Sequence, residues 1–368
     1  MTEPCLTSAS PRLRFRNNFG AIRYILAFAI ALSHFNVLAG SNMWFPITAY
    51  HRVCSFFVMS GFLIYGSYFR ARDWKDYLRN RAWRIFPSYL LTVGACALLF
   101  VFLSDLPASE YFTSAQWWKY LIANSLSLNF IQSDLPGVFT SHELSAINGS
   151  LWTMKVEWFL YILIIPFIII TSRSRHALWK WCLGVLLFSA LYKFACIELY
   201  ERTGRRIFHI MEHQFAGQMA YFFCGVALFV YLERIKRFRG WLAAGSLILV
   251  IIATIFAADS YFFSLLVFPP AIATLVVSLA FLGTWGAWAE RFENCSYEIY
   301  LFHFPLTQTA VHFRLHDIIG PFPAFLTVFA VCVIAGYIVA THFSAPLRRA
   351  HRKSPLTASN NTPVISVK

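Results

Sequence analysis

The sequence has few charged residues for its length. Only 13% of its 368 residues are Asp, Glu, Lys or Arg, whereas soluble proteins carry about a quarter. Apolar residues make up 58% of the chain, so the charges are too few to cover the surface of a soluble enzyme of this size. This composition excludes a soluble globular protein and a disordered chain, and it is typical of a polytopic membrane protein.

Acidic residues are especially scarce. There are 17 Asp and Glu against 31 Lys and Arg, which gives a formal net charge of +14. A basic balance can indicate nucleic-acid binding, but the basic residues then cluster on a soluble domain. Here they lie in short stretches between apolar runs, as expected for cytoplasmic loops. We therefore expect no nucleic-acid partner.

The eight cysteines lack the spacing of a metal site or a disulfide framework. None stands in a C-x-x-C pattern or beside a histidine at metal-ligand spacing, and most lie in apolar runs. They are typical of small buried apolar side chains. We expect no metal site and no permanently bound cofactor.

Long apolar runs, by contrast, are abundant. A helix needs about 20 mostly apolar residues to cross the hydrocarbon core of a bilayer. The sequence therefore predicts an all-α, polytopic transmembrane helical bundle, with a membrane domain at 19–345 and tails at 1–18 and 346–368. About ten spans are expected, near 19–39, 52–69, 87–104, 151–171, 177–197, 214–232, 241–258, 261–282, 295–314 and 322–343.

Two irregular features are expected within this pattern. Residues 116–130 are too short and too polar for a span, and they predict an interfacial or re-entrant helix. Pro269 and Pro270 are expected to kink or break the eighth span, because proline has no amide N–H to donate.

The stretches rich in Lys and Arg fall on one side of a ten-span bundle, the clearest being 70–86, 234–239 and 348–353. The positive-inside rule makes this side cytoplasmic, and both termini with it. Loop 198–213 carries three Arg on the other side. Either Glu198 and Glu201 offset that charge, or the loop contacts an anion.

Ionisable residues inside apolar spans are costly and are therefore candidate functional residues. Arg23 and His34 lie eleven residues apart in the first span, on one helix face and about 16 Å apart along the axis. Glu157 lies six residues inside the fourth span, at a similar predicted depth to His34. A histidine oriented by a carboxylate is a general-base arrangement.

Each of these residues also has an ordinary explanation. His34 can reach the lipid headgroups, Arg23 can extend its guanidinium to the interface, and Glu157 can pair with Lys155. The sequence alone leaves both interpretations open.

The loop predicted at 77–89 contains a compact basic cluster, Arg79, Arg81 and Arg84, directly before a span. Such a cluster can anchor the chain at anionic lipids, or it can bind a phosphorylated cytosolic ligand, since guanidinium groups match phosphate oxygens. The ninth span places His303 in an apolar helix, with Pro305 expected to free backbone carbonyls.

Taken together, these residues resemble the acyltransferase-3 family of integral-membrane O-acyltransferases, over about residues 15 to 349. Five stretches match the family's motifs in order: Arg23 with His34, FFVMSGFLI at 56–64, RAWRIFPSY at 81–89, SLWTMKVEWFLY at 150–161 and SYEIYLFHFP at 296–305. Two positions depart from the pattern. Many members have Asp where this chain has Gly20, and Glu-x-Pro where it has Ser344-Ala345-Pro346.

The resemblance implies transfer of an acyl group, most often acetyl, from cytosolic acyl-CoA to a hydroxyl of a glycan or lipid-linked saccharide. It also implies a bacterial inner (plasma) membrane, with membrane lipids as surroundings. His34 would act as general base, or alternatively carry the acyl group covalently. The implied site residues are, as catalytic, His34, Glu157 and Arg23; for acyl-CoA, Arg81, Arg84 and Arg79; for the oxyanion or the acceptor, Ser60, Tyr300 and His303.

An alternative is a transporter or flippase of a saccharide-type substrate, which would use the same intramembrane His, Glu and Arg as a relay. The basic cluster at 79–84 favours the acyltransferase, because an anionic coenzyme needs such a cluster and a proton path does not.

Overall fold

The computed structural model describes residues 17–45, 48–172, 178–256 and 260–353. Within these ranges regular secondary structure is helical, apart from an isolated β-bridge between Ser104 and Val138. The predicted all-α class is confirmed. Most of the two predicted tails, 1–16 and 354–368, lies outside the described residues, as do residues 173–177.

The described ranges form fifteen α-helices. In chain order they are α1 (Phe19–Leu38), α2 (Ala49–Tyr68), α3 (Trp74–Leu99), α4 (Ala108–Thr113), α5 (Ala115–Ser125), α6 (Trp152–Thr171), α7 (Leu178–Thr203), α8 (Arg206–Glu212), α9 (Phe215–Val230), α10 (Leu232–Ile255), α11 (Phe268–Phe281), α12 (Ser296–His312), α13 (Leu315–Ile319), α14 (Pro321–Val339) and α15 (Ala345–Lys353). The ten longest follow the ten predicted spans in order.

Seven helical segments in the described ranges are long and apolar enough to cross a membrane: Phe19–Leu38, Trp74–Leu103, Gly149–Thr171, Leu178–Thr203, Leu232–Ile255, Phe262–Phe281 and Pro321–His351. The other three predicted spans correspond to α2, α9 and α12. Helices α9 and α12 have 16 and 17 residues, and α2 carries polar residues such as Arg52 and Ser60. The count of ten, and the side on which the termini lie, therefore remain predictions.

The segment predicted as an interfacial or re-entrant helix is helical over α5, which has 11 residues. It packs against α3: Trp117 donates its indole N–H to the carbonyl of Ala97 at 2.9 Å, and Tyr89 donates its hydroxyl to the carbonyl of Asn124 at 2.7 Å. At 1.5 Å per residue this helix is about 16 Å long, which is too short to span a bilayer.

The prolines act on their helices in two different ways. Pro269 and Pro270 stand in the first turn of α11, directly after a π-helical stretch at Phe262–Val267. The helix is therefore distorted ahead of them but not broken. Pro305 lies within α12 and cannot bond to the carbonyl of Leu301. That carbonyl instead accepts a hydrogen bond from the side-chain amide of Asn148 at 2.8 Å. The carbonyl that Pro305 was predicted to free therefore has a side-chain partner.

Two glycines let α2 and α9 pack backbone to backbone. A Cβ at Gly61 would lie 1.9 Å from the carbonyl oxygen of Phe222, and one at Gly225 would lie 2.1 Å from that of Val58. Close approach through small residues is the usual way in which helices associate in a bilayer. Helix α2 carries several site residues, so this contact also positions the site.

Gly61→Ala is expected to destabilise the protein by about 1–3 kcal/mol, because the added methyl group meets backbone atoms that cannot rotate away. The measurement is the melting temperature of the purified protein in detergent. Gly184→Ala in α7 is the matched control, since a Cβ there meets nothing within 4 Å. Equal melting temperatures for the two variants would contradict this account of the packing.

Candidate active site

Two adjoining cavities lie inside the bundle. The basic cavity, about 340 Å³, contains five arginines among its lining residues, and the inner cavity, about 150 Å³, continues from it. Both are lined by Leu63 and by three of the predicted site residues, Arg23, Arg81 and Arg84. Two members of the predicted cluster, Arg81 and Arg84, therefore meet the first-helix arginine in space.

Helix α3 determines which arginines face the cavities. Asp73 caps this helix by accepting the backbone N–H of Asp76 at 2.7 Å, so the helix begins well before the predicted span and the predicted loop at 77–89 is helical. Successive helical residues are about 100° apart. Arg81 and Arg84, three residues apart, therefore share a face, whereas Arg79 points elsewhere.

Arg79 does not belong to the cavity cluster. Its guanidinium pairs with Asp76 at 2.8 Å, and it lines neither cavity. In the described part of the chain, by contrast, no ion pair holds Arg23, Arg81 or Arg84, and the buried Nε of Arg81 has no hydrogen-bond partner. These three cations therefore face the cavities without a carboxylate bound to them.

The inner cavity contains the carboxylate of Glu157. Ser60 donates its hydroxyl to Glu157 Oε1 at 2.8 Å, and the hydroxyl of Tyr161 donates to the same oxygen. Tyr300 also lines this cavity, where its hydroxyl donates to the carbonyl of Ser150 at 3.1 Å. Ser60 and Tyr300, predicted as oxyanion donors, thus have their hydroxyl hydrogens engaged in this arrangement.

His34 pairs with His303. The Nδ1 of His34 lies 2.7 Å from the Nε2 of His303, and the rings are stacked with centroids 4.9 Å apart. The Nδ1 of His303 lies 2.7 Å from the backbone carbonyl of Tyr300. A carbonyl only accepts, so Nδ1 of His303 carries the proton and its Nε2 accepts one from Nδ1 of His34. This assignment leaves Nε2 of His34 with a lone pair, as a general base needs.

The predicted pairing of His34 with Glu157 is wrong. No hydrogen bond or ion pair joins these two residues in the structure; His34 bonds to His303, and Glu157 bonds to Ser60 and Tyr161. The reason lies in where α6 begins.

The turn before α6, Gly149–Leu151, is already inside the bundle. Asn148 bonds to the carbonyl of Leu301, and Tyr300 bonds to the carbonyl of Ser150. The start of α6 is thus level with the middle of α12, near His303. Glu157 follows almost two helical turns later and lies closer to the arginines. The two spans do not begin at the same depth, which the prediction assumed.

The inner cavity ends beside the histidine pair. Phe56 and Tyr300 both line it, with ring centroids 6.2 Å apart, and the ring of Tyr300 lies 5.5 Å from that of His303 between centroids. His34 itself lines neither of these two cavities and is half-buried. One layer of aromatic side chains therefore separates the arginine-lined space from the histidines.

Sequence reasoning missed Arg52. This residue of α2 is 5% exposed, and its guanidinium donates to the carbonyl of Ala29 and the hydroxyl of Ser33, the neighbour of His34. It also lies 4.6 Å from the centre of the Phe45 ring. The available signal was that Arg52 begins the predicted span 52–69, on the non-cytoplasmic side, where few basic residues were expected.

One group of side chains has the geometry to hold a metal ion. His209, Glu212 and His213 approach one another within 4.8 Å around the end of α8. Glu212 Oε1 already contacts both imidazoles, at 2.9 and 3.2 Å, and Nδ1 of His213 lies 2.9 Å from the carbonyl of His209. Burial lowers the pKa of His213. These contacts account for the group without an ion, and the absence of a metal remains a prediction.

A bundle with seven membrane-length apolar helices and arginine-lined cavities defines an integral membrane protein with an internal site. The acyltransferase-3 profile, described as an acyltransferase domain, matches residues 16–341, so the chain belongs to this family. It is an acyltransferase, as its motifs predict.

Two relatives support this membership. An O-acetyl transferase of Shigella phage Sf6 is 31% identical over 153 residues, which are 40% of this chain and 44% of that protein. The match therefore spans less than half of the phage protein. Nodulation protein 10 of Rhizobium leguminosarum bv. viciae is 25% identical over 328 residues, or 80% of this chain and 84% of that protein. Comparison with solved structures gave no significant match.

Proposed function

We propose that this protein is an O-acetyltransferase that moves an acetyl group from acetyl-CoA to a hydroxyl of a glycan or lipid-linked saccharide. The observation that carries the proposal is the continuous cavity, which runs from three arginines without bound carboxylates to the layer beside the His34–His303 pair. The O-acetyl transferase of phage Sf6 supports the choice of acetyl and of a hydroxyl acceptor.

The donor requirement follows from the length of the site. Arg23 and His34 are eleven residues apart on α1, about 16 Å along the helix axis. A donor held by phosphates at Arg23, Arg81 and Arg84 must therefore carry its reactive carbon on a long arm. Coenzyme A thioesters have this form, with phosphates at one end and the acyl group on a flexible pantetheine arm.

The chemical step uses Nε2 of His34. This nitrogen takes the proton of the acceptor hydroxyl while the hydroxyl oxygen attacks the thioester carbonyl carbon. The tetrahedral intermediate then expels the coenzyme A sulfur, which recovers the proton from His34. One C–S bond breaks, one C–O bond forms, and the products are the ester and free coenzyme A. The alternative in which His34 itself carries the acetyl group uses the same nitrogen.

Other residues support this step from within the inner cavity. For the thioester to reach His34, the layer formed by Phe56 and Tyr300 must open, which frees the hydroxyl of Tyr300 from Ser150 and lets it donate to the oxyanion. Ser60 is a second candidate donor. Glu157 provides the negative charge that faces the arginines before the phosphates arrive.

The basic cavity lies at one end of the site and the histidines lie deeper. Because acyl-CoA is cytosolic, we place the basic cavity on the cytoplasmic side of a bacterial plasma membrane, in agreement with the positive-inside prediction. The acceptor then approaches His34 from the opposite side or from within the membrane.

The test is release of free coenzyme A thiol from acetyl-CoA by the purified protein, corrected for hydrolysis, with a glycan extract of the host as acceptor. Acceptor-dependent release is expected, as is a higher melting temperature with coenzyme A, since a ligand that binds only the folded state stabilises it. If acetyl-CoA gave no release and coenzyme A left the melting temperature unchanged, the proposal would be wrong and a saccharide transporter would be favoured.

Arg81→Ala is expected to raise the KM for acetyl-CoA about tenfold or more, because one charge-assisted contact to phosphate is lost. The turnover number should change little, since Arg81 lies far from the reacting atoms. Arg79→Ala is the control two residues away on the same helix, with its guanidinium paired to Asp76. A fall in turnover with unchanged KM for Arg81→Ala would contradict the phosphate-binding role.

A further inference from the structure

The basic cavity extends beyond the three arginines that it shares with the inner cavity. Its outer part is lined by Arg70, Asn80, Trp83, Arg348 and His351, and the lining residues of the cavity include no Asp or Glu. Of these residues, Arg348 pairs with the carboxylate of Glu293 at 2.8 Å. The excess positive charge indicates a ligand with more than one anionic group.

An aromatic pair stands at this outer part. The rings of Trp83 and His351 are stacked with their centroids 5.2 Å apart and their planes 17° from parallel. Trp83 comes from α3, one position before Arg84, and His351 comes from α15, which packs against α3. Residue Trp83 is 39% exposed, so it still offers apolar surface to a ligand.

Charge and aromatic surface together select a ligand that carries both a phosphate and a planar ring. A lipid headgroup has the phosphate but nothing to stack on an aromatic side chain. Purine rings do stack on tryptophan and histidine, and guanidinium groups bind phosphates. A nucleotide satisfies both parts of the surface.

We propose that the outer part of the basic cavity binds the adenosine 3′-phosphate end of coenzyme A. The adenine stacks against the Trp83–His351 pair, and Arg70 and Arg348 hold the 3′-phosphate. Arg23, Arg81 and Arg84 then hold the diphosphate deeper in the cavity. This inference rests on the proposed function, and it adds that the enzyme recognises complete coenzyme A and discriminates against shorter pantetheine thioesters.

The test compares three donors: acetyl-CoA, its 3′-dephospho form and S-acetyl-4′-phosphopantetheine, which lacks the nucleotide. Trp83→Ala is expected to raise the KM for acetyl-CoA about 5- to 150-fold, the range for loss of one base–aromatic stack. It should leave the KM for S-acetyl-4′-phosphopantetheine unchanged. Arg70→Ala should raise the KM for acetyl-CoA but not for the dephospho form.

Trp74→Ala is the matched control. Trp74 is an exposed tryptophan on the same helix that lines neither cavity, and its replacement should change none of these KM values. Trp83→Phe should restore much of the affinity, since phenylalanine keeps a ring for stacking.

Three results would overturn the inference. Equal KM changes for acetyl-CoA and S-acetyl-4′-phosphopantetheine in Trp83→Ala would show that Trp83 does not contact the nucleotide. Unchanged acetyl-CoA kinetics in Trp83→Ala, together with inhibition of the wild type by phosphatidylglycerol, would assign the cavity to an anionic lipid. If none of the three donors released thiol or shifted the melting temperature of the wild type, the proposed function itself would fail.

Discussion

His34→Ala is expected to reduce the rate of acetyl transfer by a factor of about 10²–10⁴, the usual contribution of a general base, while the protein still binds coenzyme A. The reason is geometric. His303 accepts the Nδ1 proton of His34 at 2.7 Å, so Nε2 is the nitrogen left with a lone pair. Alanine removes that lone pair without touching Arg23, Arg81 or Arg84.

The measurement combines acceptor-dependent thiol release with the shift in melting temperature caused by coenzyme A. His342→Ala is the control, since His342 is an exposed histidine that lines neither cavity. Turnover at the wild-type rate in His34→Ala would remove His34 from the chemistry. Loss of the thermal shift along with the activity would instead indicate that His34 supports the fold or the donor site.

A further experiment on the wild-type protein distinguishes direct acetyl transfer from a route through a covalent acetyl-His34 intermediate. With acetyl-CoA and no acceptor, an acetyl group found on the peptide that contains His34 would favour the acyl-enzyme route. An unmodified peptide, under conditions where acceptor-dependent transfer proceeds, favours the direct attack described above.

The fold was largely predictable because a long apolar run in the sequence is a strong indication of a membrane-spanning helix. Ten helices follow the ten predicted runs, and seven segments satisfy the length and hydropathy of a span. The helices that fall short include α2 and α12, which carry Arg52, Ser60, Glu298 and His303. The polar residues that make a site lower the hydropathy of the helices that carry it, so the signal is weakest at the site.

The site was predictable only in part. The motifs identified both histidines and three of the five cavity arginines, but not which side chains would meet. The boundaries of the predicted spans gave a poor estimate of how deep each residue lies in the bundle. The turn before α6 enters the bundle and bonds to α12 through Asn148 and Ser150. Pairing across 269 residues, as between His34 and His303, leaves no trace in local sequence spacing.

The start of α3 explains a further difference between prediction and structure, at the segment 77–89 that was predicted as a loop. The cap at Asp73 turns the predicted basic loop into the first turns of α3. Once the segment is helical, the spacing of Arg79, Arg81 and Arg84 determines that the last two share a face. The separation of Arg79 from the cavity therefore follows from the helical conformation of this segment, which begins at the Asp73 cap, and from the ion pair of Arg79 with Asp76.

His303→Ala is expected to lower the turnover number about 10- to 100-fold and to leave the KM for acetyl-CoA nearly unchanged, in line with the loss of a residue that orients a reacting group. Without the acceptor at Nε2 of His303, Nδ1 of His34 no longer has a fixed proton partner. The ring can then adopt the other tautomer or rotate away from the acceptor.

The conservative replacement His303→Asn separates this positioning role from a packing role. The amide oxygen of asparagine can accept the Nδ1 proton of His34, whereas alanine cannot, so His303→Asn should recover a measurable part of the turnover lost in His303→Ala. If the two variants lost equal activity and equal melting temperature, His303 would serve only to fill space between α1 and α12. If the turnover number recovers in His303→Asn but not in His303→Ala, at similar melting temperatures, the hydrogen bond from His34 is needed for activity. That result would support the assignment of Nε2 of His34 as the base.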